Sequence, residues 1–271
     1  MPELPEVETS RRGIEPYLLD QKIKSITIRQ HKLRWPVPKN LPELATGRVI
    51  RAVSRRAKYI YLELENGTII IHLGMSGSLR ICTDKTPAEK HDHIDIKVAS
   101  NKVLRLRDPR KFGCVLWAKG DVGQHKLIKP LGPEPLADDF TAEYLHKKAN
   151  NRQCSIKSLI MNSHIVVGVG NIYASEALYR AGINPKRRAG NISLPRLEKL
   201  VASIRLTLQL AIKEGGTTLR DFTGINGQPG YFSQKLLVYG RDGKTCSQCG
   251  EMIKQFTQHA RSTFYCTVCQ R

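Results

Sequence analysis

The first half of the chain consists mainly of short runs in which apolar and polar residues alternate. In residues 25–29, Ile26 and Ile28 alternate with polar neighbours, as in a half-buried strand, whereas Ile23 falls out of that phase. Asn66-Gly67 predicts a tight hairpin turn between two further candidates. The strand candidates are residues 25–29, 48–55, 59–64, 68–73, 91–98, 103–106 and 114–118. Repeated short strands at this spacing predict an antiparallel sandwich or barrel.

The second half of the chain has a helical period instead. A proline-rich stretch at residues 130–135 precedes it, and we place a linker there. A helical pattern also opens the chain, where four apolar residues could share one face. Those residues are Leu4, Val7, Ile14 and Leu18, and the later helix candidates are 140–149, 155–161, 172–181 and 193–214. Residues 217–234 are rich in Gly, Thr and Asn and predict a loop.

The charge of the chain narrows the class of partner. Its 271 residues include 44 Lys and Arg against 24 Asp and Glu, a formal net charge of +20. This excess favours a polyanionic partner, with nucleic acid as the first candidate and an anionic membrane as the second. No apolar run reaches the roughly 18 residues of a membrane span, and no signal-peptide pattern opens the chain. We therefore expect a soluble, cytoplasmic protein without a membrane partner.

The cysteines divide unevenly between isolated positions and paired ones. Four of them form two CxxC pairs that are sixteen residues apart: Cys246, Cys249, Cys266 and Cys269. This spacing predicts one structural zinc ion held by four thiolates. Two disulfides are the alternative, but a reducing compartment favours the metal. Cys82, Cys114 and Cys154 are isolated, and we expect them to be small buried apolar residues.

The first residues contain a candidate nucleophile. If Met1 is removed, Pro2 presents a secondary amine at the start of the chain, with Glu3 beside it as an acid or base. An α-amino group has a pKa of about 8 in model peptides, so a fraction of the chains carries an unprotonated amine at neutral pH. Such an amine can attack an aldehyde-level carbon to give an iminium. The alternative is structural, because prolines are tolerated in the first turn of a helix.

Two loops each contain an apolar residue that could enter DNA as a wedge. The segment 107–112 holds three cations and Phe112, which either packs into the core or enters DNA as an apolar wedge, with Arg110 meeting the exposed bases. Met75, between Gly74 and Gly77, is a second possible wedge, since the glycines allow close approach.

Three further positions could contact phosphate or transfer protons. Lys58 follows two arginines and precedes a strand, so it is either a proton donor or acceptor beside other cations or a solvated strand end. Asn171 follows a glycine turn before a helix, which indicates either a phosphate site or a helix that Asn171 caps. Arg261 lies between the CxxC pairs, where either a hairpin tip directs it at phosphate or the segment supplies only general positive charge.

Six segments taken in order resemble the formamidopyrimidine-DNA glycosylase family: MPELPEVE, RRAKY, HLGMSG, DPRKFG, VVGVGNIYASE and the terminal CxxC…CxxC. The likeness runs from residue 1 to residue 271. It implies an α+β multidomain protein, with an N-terminal catalytic β-sandwich at 1–130, a helix-two-turns-helix DNA-binding domain with a lesion-capping loop at 131–235, and a zinc ribbon at 236–271.

The resemblance also implies an activity and a role for each matched residue. The family excises oxidised purines, chiefly 8-oxoguanine and formamidopyrimidines, and then cuts the strand by β- and δ-elimination, so the implied partner is double-stranded DNA with oxidised bases or abasic sites, bound by a monomer. Pro2 matches the nucleophile, Glu3 a proton donor, and Lys58 and Arg261 the acids of the two eliminations. The matched DNA-contacting residues are His91, Arg110, Arg152, Lys157 and Asn171, and Met75, Arg110 and Phe112 match the trio that fills the gap left by the extruded base.

Two positions depart from the family pattern, and two other functions compete. Asn162 stands where aspartate is usual, and we expect only local hydrogen bonding to change there. Arg220 stands where lysine is common, in the loop that in the family folds over the everted base. The related endonuclease VIII type shares the fold and the Pro2 chemistry but prefers oxidised pyrimidines; Leu4, followed by residues 5–9, favours the purine enzyme. A non-catalytic DNA-binding zinc protein would leave Pro2, Glu3 and Lys58 unexplained.

Overall fold

The computed structural model describes residues 2–217 and 232–271. The described residues form two compact units, one made of 2–129 with 214–217 and the other of Pro130–Lys213 with Phe232–Arg271. Met1, Arg220 and most of the predicted lesion-capping loop lie outside the described residues. Within the described ranges, no helix is both long enough and apolar enough to cross a membrane.

Two four-stranded antiparallel sheets form the first unit and confirm the predicted sandwich. Its strands are β1 (Ile23–Ile28), β2 (Ile50–Arg56), β3 (Tyr59–Leu64), β4 (Gly67–His72), β5 (Ser78–Thr83), β6 (Asp92–Val98), β7 (Lys102–Arg107) and β8 (Cys114–Ala118). One sheet has the order β1-β6-β7-β5 and the other β2-β3-β4-β8. The predicted hairpin is β3–β4, in which Leu64 pairs with Gly67. Strand β5 was not predicted.

The irregular phase of Ile23 has a local cause. The register between β1 and β6 shifts between Ile23 and Ser25, as a β-bulge does. A bulge inserts one extra residue and therefore reverses the alternation of the side chains. Ile23 and Ile26 are consequently both buried although they are three positions apart.

One helix of the first unit packs on the sandwich and is itself part of its core. This helix is α1 (Leu4–Leu18), and the short helix α2 (Leu41–Ala45), which was not predicted, follows β1. The four apolar residues predicted on one face of α1 are all buried, which confirms that pattern. Burial of such side chains contributes roughly 1.5–3 kcal/mol each, so the first residues of the chain are fixed by packing.

The second unit contains four helices and one hairpin. They are α3 (Ala142–Ala149), α4 (Ile156–Ile160), α5 (Asn171–Arg180), α6 (Leu194–Lys213), β9 (Lys254–Gln258) and β10 (Arg261–Tyr265). All four helices match predicted helices to within two residues at each end. The loop prediction is wrong at its C-terminal end, because Phe232–Lys235 is a short 3-10 helix whose Phe232 is buried with its ring 5.9 Å from that of Tyr173.

Candidate active site and nucleic-acid contacts

The N-terminal residues are held in place by a buried carboxylate. Pro2 and Glu3 are buried, and Glu3 is the N-cap of α1. The Glu6 carboxylate accepts a 2.8 Å hydrogen bond from the Glu3 amide through Oε2. Its Oε1 accepts bonds of 2.8 and 2.9 Å from the amide and the hydroxyl of Thr217. Glu6 therefore fixes the backbone beside Pro2, and sequence reasoning missed this role because Thr217 is distant along the chain.

Both interpretations of the N-terminal prolines have support in the geometry. Pro5 lies in the first turn of α1, where the missing N–H costs nothing. Pro2 instead precedes the N-cap and lies outside the helix. The helix-start explanation thus accounts for Pro5, while Pro2 remains a candidate nucleophile.

Lys58 occupies the turn between β2 and β3, and a neighbouring network supports that turn. Ala57 has a left-handed φ of 55°, and its carbonyl accepts a 2.7 Å bond from Arg55 Nη1. Arg55 Nε donates at 3.0 Å to Glu8 of α1. Burial alone would raise the pKa of Glu8, but hydrogen bonds from Arg11, Arg12 and Arg55 outweigh it and hold that pKa below its ordinary value. The turn that presents Lys58 is therefore anchored to α1, the helix that begins just after Pro2 and Glu3.

The two candidate wedge residues are exposed at the tips of adjacent loops. Met75 is 36% exposed and Phe112 is 40% exposed. The alternative that packs Phe112 into the core is therefore wrong. The Arg110 guanidinium lies 4.8 Å from the centre of the Phe112 ring. We call Met75, Arg110 and Phe112 the wedge, and large exposed apolar side chains at loop tips are suited to enter a base stack.

His72, at the end of β4, lies beside both Lys58 and the Met75 loop. Its Nδ1 accepts a 3.0 Å bond from the Gly74 amide, which requires an unprotonated nitrogen. Burial first, and then the positive charges of Lys58 and Arg34, lower the pKa of His72 to about 4. The imidazole is therefore neutral near pH 7 and holds the start of the Met75 loop.

The depressed pKa of His72 predicts a loss of stability on acidification. In the unfolded chain a histidine has a pKa near about 6.5, so the unfolded state takes up this proton first as the pH falls. The contribution of His72 is complete above that pH and is lost as the pH falls toward about 4. We expect His72→Asn to flatten this decline, because its Oδ1 can accept from Gly74 without titrating. The fluorescence of Trp35 and Trp117 during denaturation would measure the free energy of unfolding at each pH. If this free energy fell equally with pH in both proteins, the assignment to His72 would be contradicted.

In the second unit, Lys157 and Asn171 are joined to the β9–β10 hairpin. Lys157 is buried, and its Nζ donates at 2.7 Å to both Asn171 Oδ1 and Thr263 Oγ1. Asn171 Nδ2 donates at 2.9 Å to the Ser262 carbonyl. The alternative in which Asn171 caps α5 is wrong: the N-cap is Gly170, and Asn171 is the first helical residue. Its side chain is thus directed to the hairpin rather than to its own helix.

The hairpin presents Arg261 next to a cavity of about 230 Å³. Arg261 is exposed and follows His259 and Ala260, both of which have left-handed φ values at the tip. The cavity is lined by Lys157, Ser158, Met161, Asn162, Gln258, His259 and Arg261. Asn162 Oδ1 accepts a 3.0 Å bond from the His164 amide, so the unusual residue supports a local turn. The cavity therefore brings two predicted phosphate-contacting cations, Lys157 and Arg261, to one place.

The remaining predicted DNA contacts lie in loops. Arg152 is exposed just after α3, where its carbonyl accepts from the Gly190 amide at 3.1 Å. His91 is half-buried just before β6, and its carbonyl accepts from the Asp108 amide at 3.0 Å. Asp108 was not predicted as a functional residue, because a buried aspartate in a basic loop gives no sequence signal of its own.

The four paired cysteines form one metal site. Their sulfur atoms all lie within 4.8 Å of one another, and two of the pairs are 3.5 Å (Cys249–Cys266) and 3.9 Å (Cys246–Cys269) apart. A disulfide would need about 2.05 Å, whereas a tetrahedral Zn–S distance of about 2.3 Å places sulfurs about 3.8 Å apart. The Tyr179 hydroxyl lies 3.1 Å from Cys246 Sγ. The donor set fits zinc. Of the isolated cysteines, Cys114 is buried as predicted, whereas Cys154 is exposed.

Comparisons with known proteins agree with this arrangement along the whole chain. Three family models match: the formamidopyrimidine-DNA glycosylase N-terminal domain at residues 1–115, its H2TH domain at 131–223, and a zinc finger found in FPG and IleRS at 243–271. The formamidopyrimidine-DNA glycosylases of Marinobacter nauticus and Syntrophotalea carbinolica are 54% and 55% identical over 271 residues, covering 100% of each chain.

Two solved structures that this chain resembles are complexes with damaged DNA. A Lactococcus lactis Fpg bound to DNA with an abasic site is 36% identical with a TM-score of 0.93, and a MutM complex with DNA containing carbocyclic 8-oxo-G is 36% identical with a TM-score of 0.92. Both matches cover 100% of each chain. With its two-sheet unit, its helical unit and its four-cysteine zinc site, this chain belongs to the formamidopyrimidine-DNA glycosylase family.

Proposed function

We propose that this protein is a bifunctional DNA glycosylase and abasic-site lyase of base-excision repair that removes oxidised purines. The observation that carries the proposal is the fixed position of Pro2 and Glu3 at the start of α1, in a chain that matches a relative of this family over the whole length of both. Its substrate is double-stranded DNA that contains 8-oxoguanine, a formamidopyrimidine or an abasic site. We place its action on chromosomal DNA in the cytoplasm of a bacterial-type cell, as a monomer.

The first chemical step needs a free amine at Pro2. The nitrogen attacks C1′ of the damaged nucleoside, the glycosidic bond breaks, and the base leaves with a proton. Glu3 donates a proton to the sugar ring oxygen as the ring opens, which yields an iminium. Attack by an amine rather than by water therefore couples base excision to strand cleavage.

The iminium makes the two eliminations possible. It acidifies the hydrogen on C2′, so loss of that proton expels the 3′ phosphate, with Lys58 as the acid, and a second elimination expels the 5′ phosphate, with Arg261 as the acid. Lys58 lies in a turn anchored to α1 by Arg55 and Glu8, and Arg261 lies at the exposed hairpin tip. Positioned proton transfer of this kind contributes about 10²- to 10⁴-fold to a rate.

The remaining site residues bind and open the duplex. A damaged base must leave the stack at a cost of a few kcal/mol before any group can reach C1′. The wedge fills the gap and offsets part of this cost, while His91, Arg152, Lys157 and Asn171 contact phosphates. Cys246, Cys249, Cys266 and Cys269 hold a structural zinc ion that supports the hairpin.

A lesion panel tests the substrate class. Duplexes with 8-oxoguanine opposite cytosine, a formamidopyrimidine, an oxidised pyrimidine, an abasic site or undamaged guanine are incubated with the protein, and released bases and strand ends are quantified. We expect both purine lesions to be excised at least about tenfold faster than the pyrimidine, a ratio that a few pocket contacts can provide. Faster pyrimidine release would indicate an endonuclease VIII type, and binding without any cleavage a non-catalytic protein.

A further inference from the structure

Asp108 is a buried carboxylate that joins the two loops of the wedge. It is fully buried between β7 and the Arg110–Phe112 tip. Its Oδ1 accepts a 3.2 Å bond from the Ser76 hydroxyl, on the Met75 loop. Its Oδ2 accepts a 2.8 Å bond from the Gly113 amide, at the base of the Phe112 loop. One carboxylate thus bonds to both loops.

The backbone of Asp108 extends this connection to a third segment. Its amide donates to the His91 carbonyl at 3.0 Å, and its carbonyl accepts from His93 Nε2 at 2.8 Å. The same carbonyl accepts from the Lys111 amide at 3.2 Å. His91 is one of the proposed phosphate contacts, so the wedge and this contact share a single anchor.

Glycines let the backbones of these two loops approach each other closely. A Cβ on Gly74 would lie 2.4 Å from the Phe112 carbonyl carbon, and one on Gly113 would lie 2.6 Å from the His72 carbonyl oxygen. Contacts under 3.0 Å do not occur for real side chains, so the two backbones touch directly. Gly74 also has a φ of 65°, which favours glycine. The separation of the two tips therefore depends on how these loops are held against each other.

We propose that Asp108 is a positioning residue, which, with Ser76, holds the Met75 and Phe112 tips at a fixed separation for entry into the base stack. This inference rests on the proposed function, since it assigns the wedge its part in base extrusion. Side chains that enter DNA must already be ordered, because ordering them on binding would subtract from the energy available to open the stack. Because Asp108 is fully buried, it acts through the loops and not by touching the DNA.

Three substitutions separate this role from general stability. Ser76→Ala removes the bond between the loops and leaves the Asp108–Gly113 bond. Asp108→Ala removes both bonds. Asp108→Asn can keep both, with its oxygen accepting from Gly113 and its amide donating to the Ser76 oxygen. Ser78→Ala is the matched control, since Ser78 is similarly buried, 9% exposed against 8% for Ser76, but is not among the groups bonded to Asp108.

The experiment measures two rates and one fluorescence signal for each protein. Each protein is given a duplex with 8-oxoguanine and one with a preformed abasic site, where no base has to be extruded, and the fluorescence of 2-aminopurine beside the lesion reports unstacking. We expect Ser76→Ala to lower the ratio of excision to abasic cleavage about tenfold, as for the loss of one hydrogen bond to a charged group, and Asp108→Ala, which loses two bonds, to lower it at least as much. Both variants should reduce the fluorescence rise. We expect Asp108→Asn and Ser78→Ala to stay near the unaltered protein.

An unchanged ratio in Ser76→Ala, with full zinc content and normal unfolding, would overturn the proposal, and this variant decides the question even if Asp108→Ala does not fold. A loss of both rates in parallel would also overturn it, because it would indicate destabilisation only. If the unaltered protein neither excises 8-oxoguanine nor cuts the abasic strand, the proposed function fails instead.

Discussion

Protein that retains Met1 will form no borohydride-stable adduct with DNA containing 8-oxoguanine opposite cytosine, whereas protein that begins at Pro2 will be trapped on it. While Met1 is present, the Pro2 nitrogen is an amide whose lone pair is delocalised, so it cannot attack C1′. Once Met1 is removed, the same nitrogen is a secondary amine and can form the iminium that borohydride reduces. We expect the difference in adduct yield to be essentially complete.

Intact mass measurement allows the chains with and without Met1 to be compared in a single sample. A preparation that contains both forms is incubated with DNA and borohydride, and the masses of the free and the trapped chains are determined. The adduct should contain only the chain that lacks Met1, and the peptide that carries the DNA remnant should begin at Pro2. Glu3→Gln, which keeps the N-cap position but removes the acid, should slow trapping by about 10²-fold or more without moving the adduct to another residue. An adduct on a lysine would contradict the assignment of Pro2.

Much of the fold follows from periodicity. The hairpin β3–β4 and the helices α3 to α6 were predicted to within two residues because each has one continuous apolar face or alternation. Ser155 and Thr141 also behave as helix caps do, since both side chains accept a bond from the first turn of the helix that follows. The local pattern determines these elements because their buried positions recur at every turn of a helix or at every second residue of a strand.

Other elements depend on contacts that the local pattern does not contain. The bulge at Ile23 reverses the phase of β1, and the alternation of apolar and polar residues in β5 (Ser78–Thr83) spans only four residues before it ends at Cys82 and Thr83. Capping of α5 was one of the two alternatives for Asn171, but its side chain bonds to the Ser262 carbonyl, 91 positions away, instead. Such outcomes require the tertiary structure, since the competing partner is remote in sequence.

The residues of the candidate site also divide into those that the sequence reveals and those that only the tertiary structure reveals. Pro2, Lys58 and the CxxC pairs stand out in the sequence because their chemistry depends on residue type and spacing. Glu6, His72 and Asp108 do not, since an acid within α1, a histidine at a strand end and an aspartate in a basic loop are ordinary residues. Their roles appear only through their partners: Thr217, Gly74 and the pair Ser76 and Gly113.

Cys249→Ser will release zinc, disorder the β9–β10 hairpin and abolish DNA binding, while the β-sandwich unit stays folded. The hairpin belongs to a small cluster of buried residues that includes two of the ligands, Cys246 and Cys266, so its order depends on the metal. Without the zinc ion, Arg261 loses its fixed position. Lys157 then loses its partner Thr263, and Asn171 loses its partner Ser262. Loss of two charge-assisted contacts alone would weaken binding by about 100-fold.

Zinc content, affinity for abasic-site DNA and tryptophan fluorescence during denaturation measure the three consequences separately. Both tryptophans of the chain, Trp35 and Trp117, belong to the sandwich unit, so their unfolding transition should be nearly unchanged. Cys154→Ser is the matched control, because Cys154 is exposed and lies outside the sulfur cluster; it should keep zinc and affinity. A Cys249→Ser protein that lacks zinc yet binds DNA as tightly as the unaltered chain would assign the phosphate contacts to residues outside the hairpin.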